Sequence, residues 1–326
     1  MTSPILSIRD LKVHFPLKQS PFFPAAPAAV RAVDGVSFDL GAGETLGIVG
    51  ESGCGKSTLG RAILQLIAVT GGTVTWRGQA IGNLPPETMR LLRRELQIIF
   101  QDPLASLDPR MTVGQSIAKP LQVFEPKLRK KERQARVADM LQRVGLSADM
   151  AGRYPHEFSG GQCQRIGIAR AMIGGPQLIV CDEPVSALDV SIQAQIINLL
   201  AELKRDAGMA LLFISHNLSV VRHISDRIMV LYLGKVMELA PRDLFYARPM
   251  HPYSQALLSA VPVADPVLER RRQRIRLSGE LPSPINPPAG CRLCGRCPKA
   301  TGICAEEEPQ LHDPGDGRLV ACHHLD

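Results

Sequence analysis

Aromatic side chains are scarce in this sequence, and the chain also lacks a large excess of charge of one sign. Phe, Tyr and Trp make up 4% of the residues, which argues against a nucleic-acid surface built on base stacking. The net charge of +7, from 38 basic and 31 acidic residues, is too small to indicate nucleic-acid binding. It fits an anionic ligand or an anionic membrane surface nearby. We therefore expect no nucleic-acid partner.

Long apolar runs are also missing. No continuous apolar segment reaches the roughly 18 residues that a membrane-spanning helix needs. The first residues, "MTSPILSIRDLKVHF", lack the charged segment and apolar core of a secretion signal. We expect a cytoplasmic chain, in which the eight cysteines do not form disulfides.

What the sequence does contain is an alternation of apolar strands with helical segments. Strand patterns occur at 5–15, 30–40 and 45–50, and again in "ELQII", "QLIVCD", "ALLFIS" and "RIMVLYLGKVMEL". A helix is expected from Ser57 to about Ile67, and "SIQAQIINLLAELKRDAG" predicts an amphipathic helix that ends before Gly208. Residues 112–150 have helical periodicity, and their basic run predicts a solvated helix face. A pattern of this kind predicts an α/β fold with a mostly parallel sheet.

A glycine-rich loop follows the strand at 45–50 and leads into a helix. The residues from Gly50 to Ser57 read "GESGCGKS", which fits the pattern G-x-x-x-x-G-K-[ST] of a phosphate-binding loop. In such loops backbone N–H groups surround the phosphates, the lysine (here Lys56) reaches the β- and γ-phosphates, and the following hydroxyl binds Mg²⁺. The residues that we expect at the nucleotide are Gly50, Ser52, Gly53, Cys54, Gly55, Lys56, Ser57 and Thr58.

Two acidic residues end a later buried strand, "LIVCDEP", about 125 residues beyond the loop. Asp182 is placed to hold Mg²⁺, and Glu183 is placed to polarise an attacking water.

A third motif, "FSGGQCQR", puts a hydroxyl and two glycines at the start of another helix. Ser159, Gly160, Gly161 and Gln162 therefore predict a second anion-binding site.

Together these motifs resemble the ATP-binding subunits of ABC transporters, whose signature LSGGQ has Phe158 in place of Leu here. The resemblance spans about residues 5–245 and implies four further roles. Gln101 would contact Mg²⁺ and the attacking water and couple to the membrane subunits, and His216 would contact the γ-phosphate. Asp189 ends "SALD", a loop that would cross a dimer interface. Phe15 matches an aromatic residue that stacks on adenine.

The resemblance implies a fold and a mechanism. We expect an α/β P-loop NTPase core of the ABC type at 1–245, with an antiparallel β subdomain and a helical subdomain at about 103–175. A small Cys-rich domain would follow at 246–326. Two such subunits would enclose two ATP molecules, each between the phosphate loop of one subunit and Ser159–Gln162 of the other. The resemblance makes Lys56, Gln101, Glu183 and His216 the catalytic residues, with Ser57, Gln101 and Asp182 holding Mg²⁺.

The segments "HPYSQALL" and "LSGELPSPINPPAGC" narrow the resemblance to bacterial importers of dipeptides, oligopeptides or nickel. Within these, the chain is most similar to the second of two related ATPase chains. The resemblance implies a homologous ATPase subunit, two membrane permease subunits and an extracytoplasmic peptide-binding protein as partners. It places the chain at the cytoplasmic face of the inner membrane as a peripheral subunit.

Five of the eight cysteines lie after residue 290. The spacing of Cys291, Cys297, Cys304 and Cys322 resembles the C-terminal pattern of the same importers, some of which hold a [4Fe–4S] cluster there. Four thiolates suit such a cluster in a reducing compartment. Zinc is the alternative, because Cys294 forms C-x₂-C pairs with its neighbours, and free thiols are the third possibility.

Four other functions can be compared with the residues. A nickel or other small-solute importer would use the same ATPase motifs. A soluble ABC ATPase of translation or repair usually has two ATPase units or long coiled-coil insertions, which this chain lacks. A non-hydrolytic regulatory module conflicts with the intact Lys56, Asp182, Glu183 and His216. The absence of fused membrane helices argues against an exporter.

Overall fold

The computed structural model describes residues 3–17, 29–262, 265, 270, 273–280 and 282–325. Residues 18–28, between the strand patterns at 5–15 and 30–40, lie outside these ranges. Within the described ranges, no helix has the length and apolar character needed to cross a membrane.

Strands and α-helices alternate along the described part of the chain. The strands are β1 (Leu6–Pro16), β2 (Ala29–Leu40), β3 (Thr45–Val49), β4 (Gly71–Trp76), β5 (Gln79–Ala80), β6 (Leu96–Ile99), β7 (Leu178–Asp182), β8 (Ala210–Ile214), β9 (Arg227–Tyr232), β10 (Lys235–Pro241) and β11 (Leu319–Val320). The α-helices are α1 (Lys56–Ile63), α2 (Pro86–Leu92), α3 (Val113–Phe124), α4 (Lys130–Arg143), α5 (Gly160–Met172), α6 (Val190–Ala207), α7 (Leu218–Ile224), α8 (Arg242–Ala247), α9 (Pro252–Ala260) and α10 (Gly302–Glu306). Short 3₁₀ helices occupy Ala148–Gly152, Pro155–Glu157 and Cys294–Arg296.

The chain divides into two compact units. Unit 1 comprises Met1–Pro4, Leu40–Thr45 and Asn83–Ser215, and unit 2 comprises Ile5–Asp39, Leu46–Gly82 and His216–Asp326. The division into 1–245 and 246–326 that the sequence suggests stays a prediction, as does the helical subdomain at about 103–175.

Unit 1 contains three parallel strands, with β7 between β6 and β8. Every residue of β7 and β8 is buried, as expected for parallel strands that are covered on both faces.

Helices α3, α4 and α5 pack on one another, so the helical segment predicted at 112–150 is confirmed. A capping box at Thr112 fixes the start of α3, because its side chain and that of Gln115 bond each other's backbone N–H groups.

Unit 2 contains two sheets. One has the order β2-β1-β4-β5, in which β1 pairs antiparallel with β4 and β4 with β5. In the other, β3 runs parallel to β9, and β10 pairs antiparallel with both β9 and β11. Leu233 and Gly234 join β9 to β10 with φ angles of 45° and 77°, the left-handed pair of a tight hairpin turn.

Most of the predicted elements are confirmed, with differences at their ends. Helix α1 begins at Lys56 and ends at Ile63, earlier than the predicted Ile67. The hairpin at β9 and β10 is confirmed, but it is not the terminal pair, because β11 adds to β10. The sequence did not predict α2 or the two-residue strand β11.

Candidate functional site

The phosphate-binding loop has a backbone that only glycine can adopt at two of its positions. Gly50 and Gly55 have φ angles of 153° and 104°, in the left-handed region that disfavours side chains. A Cβ atom on Gly50 would lie 2.1 Å from the Leu231 carbonyl oxygen, and one on Gly55 would lie 2.0 Å from that of Ala32. The chain therefore leaves the buried strand β3 through a tight loop and enters α1 directly at Lys56.

Lys56 lies at the centre of this loop, with only 4% of its surface exposed. Its Nζ donates to the carbonyl oxygens of Gly50 at 2.8 Å and Glu51 at 2.9 Å. A buried ammonium group needs such acceptors, because burial without partners carries a large desolvation cost. Burial also raises the pKa of the Cys54 thiol, although the charge of Lys56 opposes this, so Cys54 acts as a protonated packing residue.

The rest of the loop is open to ligands. Ser52 and Gly53 are exposed, and Ser57 and Thr58 are partly exposed in the first turn of α1. N–H groups at a helix start are available to an anion, and the helix dipole favours negative charge there. The loop and the start of α1 thus form the arrangement that the sequence predicts for phosphate binding.

Unit 1 carries the two acidic residues at the end of β7. Asp182 is 1% exposed and pairs with Ile214 in the parallel register of β7 and β8. Glu183 follows with a φ angle of 50°, which is uncommon for a residue other than glycine and stores backbone strain. Its Oε2 accepts a hydrogen bond from Gln101 Nε2 at 3.3 Å. The structure therefore brings Gln101 and Glu183 together, although 82 positions separate them.

The third motif forms the start of α5 in unit 1. Ser159 and Gln162 make a capping box, in which Gln162 N–H donates to Ser159 Oγ at 3.4 Å and Ser159 N–H donates to Gln162 Oε1 at 3.0 Å. Ser159 and Gly160 are exposed, so the start of this helix faces solvent. A Cβ on Gly161 would lie 2.7 Å from Ile192 of α6, whose N-cap is Asp189. The "SALD" segment therefore adjoins the motif.

His216 and Phe15 belong to unit 2 and are both exposed, Phe15 by 40%. The next residue, Asn217, caps α7, since its Oδ1 accepts from the N–H groups of Ser219 and Val220.

The C-terminal cysteines lie in unit 2. Burial raises the pKa of Cys291 to about 11, with smaller contributions from the charges of Cys304, Cys297 and Cys322. Backbone N–H groups donate to Cys297 Sγ at 3.4 Å and to Cys322 Sγ at 3.4 Å. In the described residues, however, no three His, Cys, Asp or Glu side chains are arranged to hold a metal ion. The predicted [4Fe–4S] or zinc site is therefore not supported by the structure.

Sequence reasoning missed two residues that contact Glu51 of the phosphate loop, Tyr253 and Arg296, which lie 202 and 245 positions from it along the chain. It also missed Tyr232, which accepts a hydrogen bond from Arg296. Tyr253 lies in the segment "HPYSQALL", Tyr232 in a strand pattern and Arg296 in the cysteine-rich segment, but no local pattern indicates the contacts among them.

Comparisons with known proteins agree with the motifs. Residues 33–186 match the ABC transporter family, and residues 237–304 match the C-terminal region of oligopeptide/dipeptide transporters. The chain is 56% identical to the oligopeptide transport ATP-binding protein OppF of Escherichia coli (strain K12), over 94% of this chain and 92% of the relative. It is 49% identical to the dipeptide transport ATP-binding protein DppF of Haemophilus influenzae, over 99% of this chain and 98% of the relative.

Solved structures share the fold. A dimeric ATP-binding cassette in a post-hydrolysis state, bound to ADP and Pi, matches with a TM-score of 0.65 and 27% identity, over 73% of this chain and 98% of that one. The cbiO1 component of an ABC transporter from Clostridium perfringens matches with a TM-score of 0.64 and 24% identity, over 76% of this chain and 92% of that one. The predicted ABC ATPase core is confirmed by these matches, whereas a separate Cys-rich domain is not.

Proposed function

This chain belongs to the ABC transporter family, and from that membership we propose that it binds and hydrolyses ATP to power the import of dipeptides and oligopeptides. The observation that carries the ATPase role is the phosphate loop, in which Lys56 is held at the centre of a glycine-lined turn. The peptide substrate rests on the named relatives and on the match of residues 237–304.

ATP binding is assigned to the phosphate loop and to Phe15. The N–H groups from Gly50 to Thr58 would contact the phosphates, and the exposed ring of Phe15 would stack on adenine. Ser57, Gln101 and Asp182 offer hydroxyl, amide and carboxylate oxygens, the ligand types that Mg²⁺ prefers. Mg²⁺, when bound, would offset negative charge on the phosphates.

Hydrolysis is assigned to four residues. Glu183 would orient a water molecule for in-line attack on the γ-phosphorus and accept its proton. Gln101, which hydrogen-bonds Glu183, would hold this carboxylate and the water in position. Lys56 would stabilise the charge that develops on the γ-phosphoryl oxygens, and His216 would contact the same group.

Dimer formation would complete each ATP site. The exposed start of α5, from Ser159 to Gln162, would bind the γ-phosphate of the ATP that the partner subunit holds. Asp189, in the segment beside this motif, would lie at the dimer interface. We expect the partner to be a related but different ATPase chain.

The assembly would also contain two membrane permease subunits and an extracytoplasmic peptide-binding protein. The chain would act as a peripheral subunit on the cytoplasmic face of the inner membrane. Closure of the ATPase dimer would switch the access of the permease subunits, with Gln101 near the point of coupling.

The test of this function is ATP turnover of the complex, reconstituted in lipid with its binding protein. We expect dipeptides or oligopeptides to stimulate turnover and nickel chelates to have no effect. Stimulation by nickel chelates alone would support the ATPase role but show that the transported solute is a nickel complex rather than a peptide. No stimulation by either series would contradict both import assignments.

We also propose that the C-terminal region, from about residue 246, holds a [4Fe–4S] cluster at Cys291, Cys297, Cys304 and Cys322. Support comes from the four thiol side chains and from their spacing in the sequence. No metal site is formed by the described side chains as they stand. Iron and sulfide analysis of anaerobically purified protein tests the proposal, and zinc without iron would favour the alternative site.

A further inference from the structure

The phosphate loop contains a carboxylate, Glu51, that is paired with an arginine from the cysteine-rich segment. Arg296 Nη1 donates to Glu51 Oε2 at 2.9 Å, and Nη2 donates to Oε1 at 3.3 Å. This is a forked contact, the geometry in which arginine binds carboxylates most strongly. The Arg296 side chain is 13% exposed and that of Glu51 is 32% exposed, so water screens the pair only partly.

Two tyrosines fix the positions of the same pair. Arg296 Nη1 also donates to Tyr232 Oη at 3.2 Å, and its guanidinium lies 5.8 Å from the centre of the Tyr232 ring. The Glu51 N–H donates to Tyr253 Oη at 2.8 Å. The rings of Tyr232 and Tyr253 are 4.7 Å apart and both are fully buried. Glu51 is therefore held both at its backbone and at its carboxylate.

A negative side chain at this point works against phosphate binding. Glu51 directly follows Gly50, and its own carbonyl oxygen accepts from Lys56. An uncompensated carboxylate here would repel the phosphates of ATP and attract the Lys56 ammonium away from them, since charges interact strongly in partly buried sites. Arg296 removes this repulsion by pairing with the carboxylate.

We propose that Arg296 is a positioning residue for nucleotide binding, which neutralises Glu51 and fixes the phosphate loop from the C-terminal segment. This inference rests on the proposed ATPase function and adds a residue that no motif contains. It also makes the cysteine-rich segment part of the ATP site, because Arg296 belongs to the 3₁₀ turn Cys294–Arg296 and precedes Cys297. A change in the conformation of this turn would alter the affinity for ATP.

The test is equilibrium binding of ATP with Mg²⁺ to the purified full chain by calorimetry. Arg296→Gln should raise the Kd for ATP on the order of tenfold, because Glu51 is left charged beside the loop. Arg296→Lys should give a smaller increase in the Kd, because lysine keeps the positive charge but cannot make the two-bond contact with the carboxylate. Glu51→Gln combined with Arg296→Gln should restore the Kd to within about threefold of wild type, since neither charge remains.

The matched control is Arg242→Gln, which removes a partly exposed arginine that pairs with Asp243 in the same unit. This variant should bind ATP with an unchanged Kd. Rescue by the double variant separates the charge effect from a loss of folding. If the role of Arg296 were purely structural, the double variant would bind ATP as weakly as the single variant.

Two results would overturn the proposal. Unchanged ATP binding by Arg296→Gln would show that Arg296 does not position the loop. An equal loss in the single and double variants would show that neutralisation of Glu51 is not its role. Absence of ATP binding by the wild-type chain would instead overturn the proposed ATPase function, on which this inference depends.

Discussion

Acid should destabilise unit 2 through one buried histidine, His251. This residue is 1% exposed and caps α9, where its Nδ1 accepts from the Tyr253 N–H at 3.1 Å. Burial lowers the pKa of His251 to about 4, and a hydrogen bond with the Ala321 backbone opposes this only in part. A buried carboxylate, Glu238, accepts the His251 backbone N–H at 3.0 Å and also lies 3.9 Å from Arg318.

The magnitude follows from the two pKa values. In the unfolded chain His251 takes up a proton near pH 6.5, whereas in the folded chain it stays neutral down to about pH 4. Each pKa difference of 1 corresponds to about 1.4 kcal/mol, so the full effect is about 3 kcal/mol. The stabilising contribution is complete above pH 6.5 and is lost as the pH falls towards 4. Between pH 7 and pH 5 we expect a loss of about 2 kcal/mol from the free energy of unfolding.

The assay compares urea unfolding of wild type and His251→Asn at several pH values. Asn can also cap a helix but does not titrate, so the difference between the two free energies isolates the histidine. We expect this difference to shrink by about 2 kcal/mol between pH 7 and pH 5. A difference that stays constant between pH 7 and pH 5 would refute the reasoning.

Three further predictions concern the ATP site and the stability of the fold. Glu183→Gln should bind ATP but hydrolyse it at least about 100-fold more slowly, and near wild-type phosphate release would exclude Glu183 as the catalytic carboxylate. Gly55→Ala should abolish ATP binding in a calorimetric titration, because its Cβ would lie 2.0 Å from the Ala32 carbonyl oxygen, and retained binding would contradict the loop geometry. Arg292→Gln should lower the free energy of unfolding by about 3 kcal/mol, because it removes the buried partner of Asp34, and a loss below about 1 kcal/mol in urea unfolding would count against this.

The parts of the fold and site that the sequence predicts are those encoded over short distances. The glycine spacing fixes the phosphate loop, because a left-handed φ at Gly50 and Gly55 excludes other residues. The apolar run of β7 predicts a buried strand, and the position of Asp182 follows from where that run ends. The capping box at Ser159 marks the start of α5 in the same way.

The parts that the sequence does not predict depend on contacts between distant segments. The contact between Gln101 and Glu183, and the strained backbone of Glu183, depend on how unit 1 packs. The two-residue strand β11 is too short to give a periodic pattern, and it exists only because β10 offers a free edge. Cysteine spacing fixes which thiols are available but not the directions of their sulfur atoms. For this reason the predicted metal site did not follow from spacing alone.

The pairing of Glu51 with Arg296 has a consequence for how the protein is made. These residues are 245 positions apart, so a ribosome completes the phosphate loop long before it adds the arginine. At about 5–20 residues per second, the nascent chain would carry the loop with an unpaired carboxylate for roughly 12–50 s. With Arg296 in its proposed role, the order of synthesis would delay full affinity for nucleotide until residue 296 has emerged.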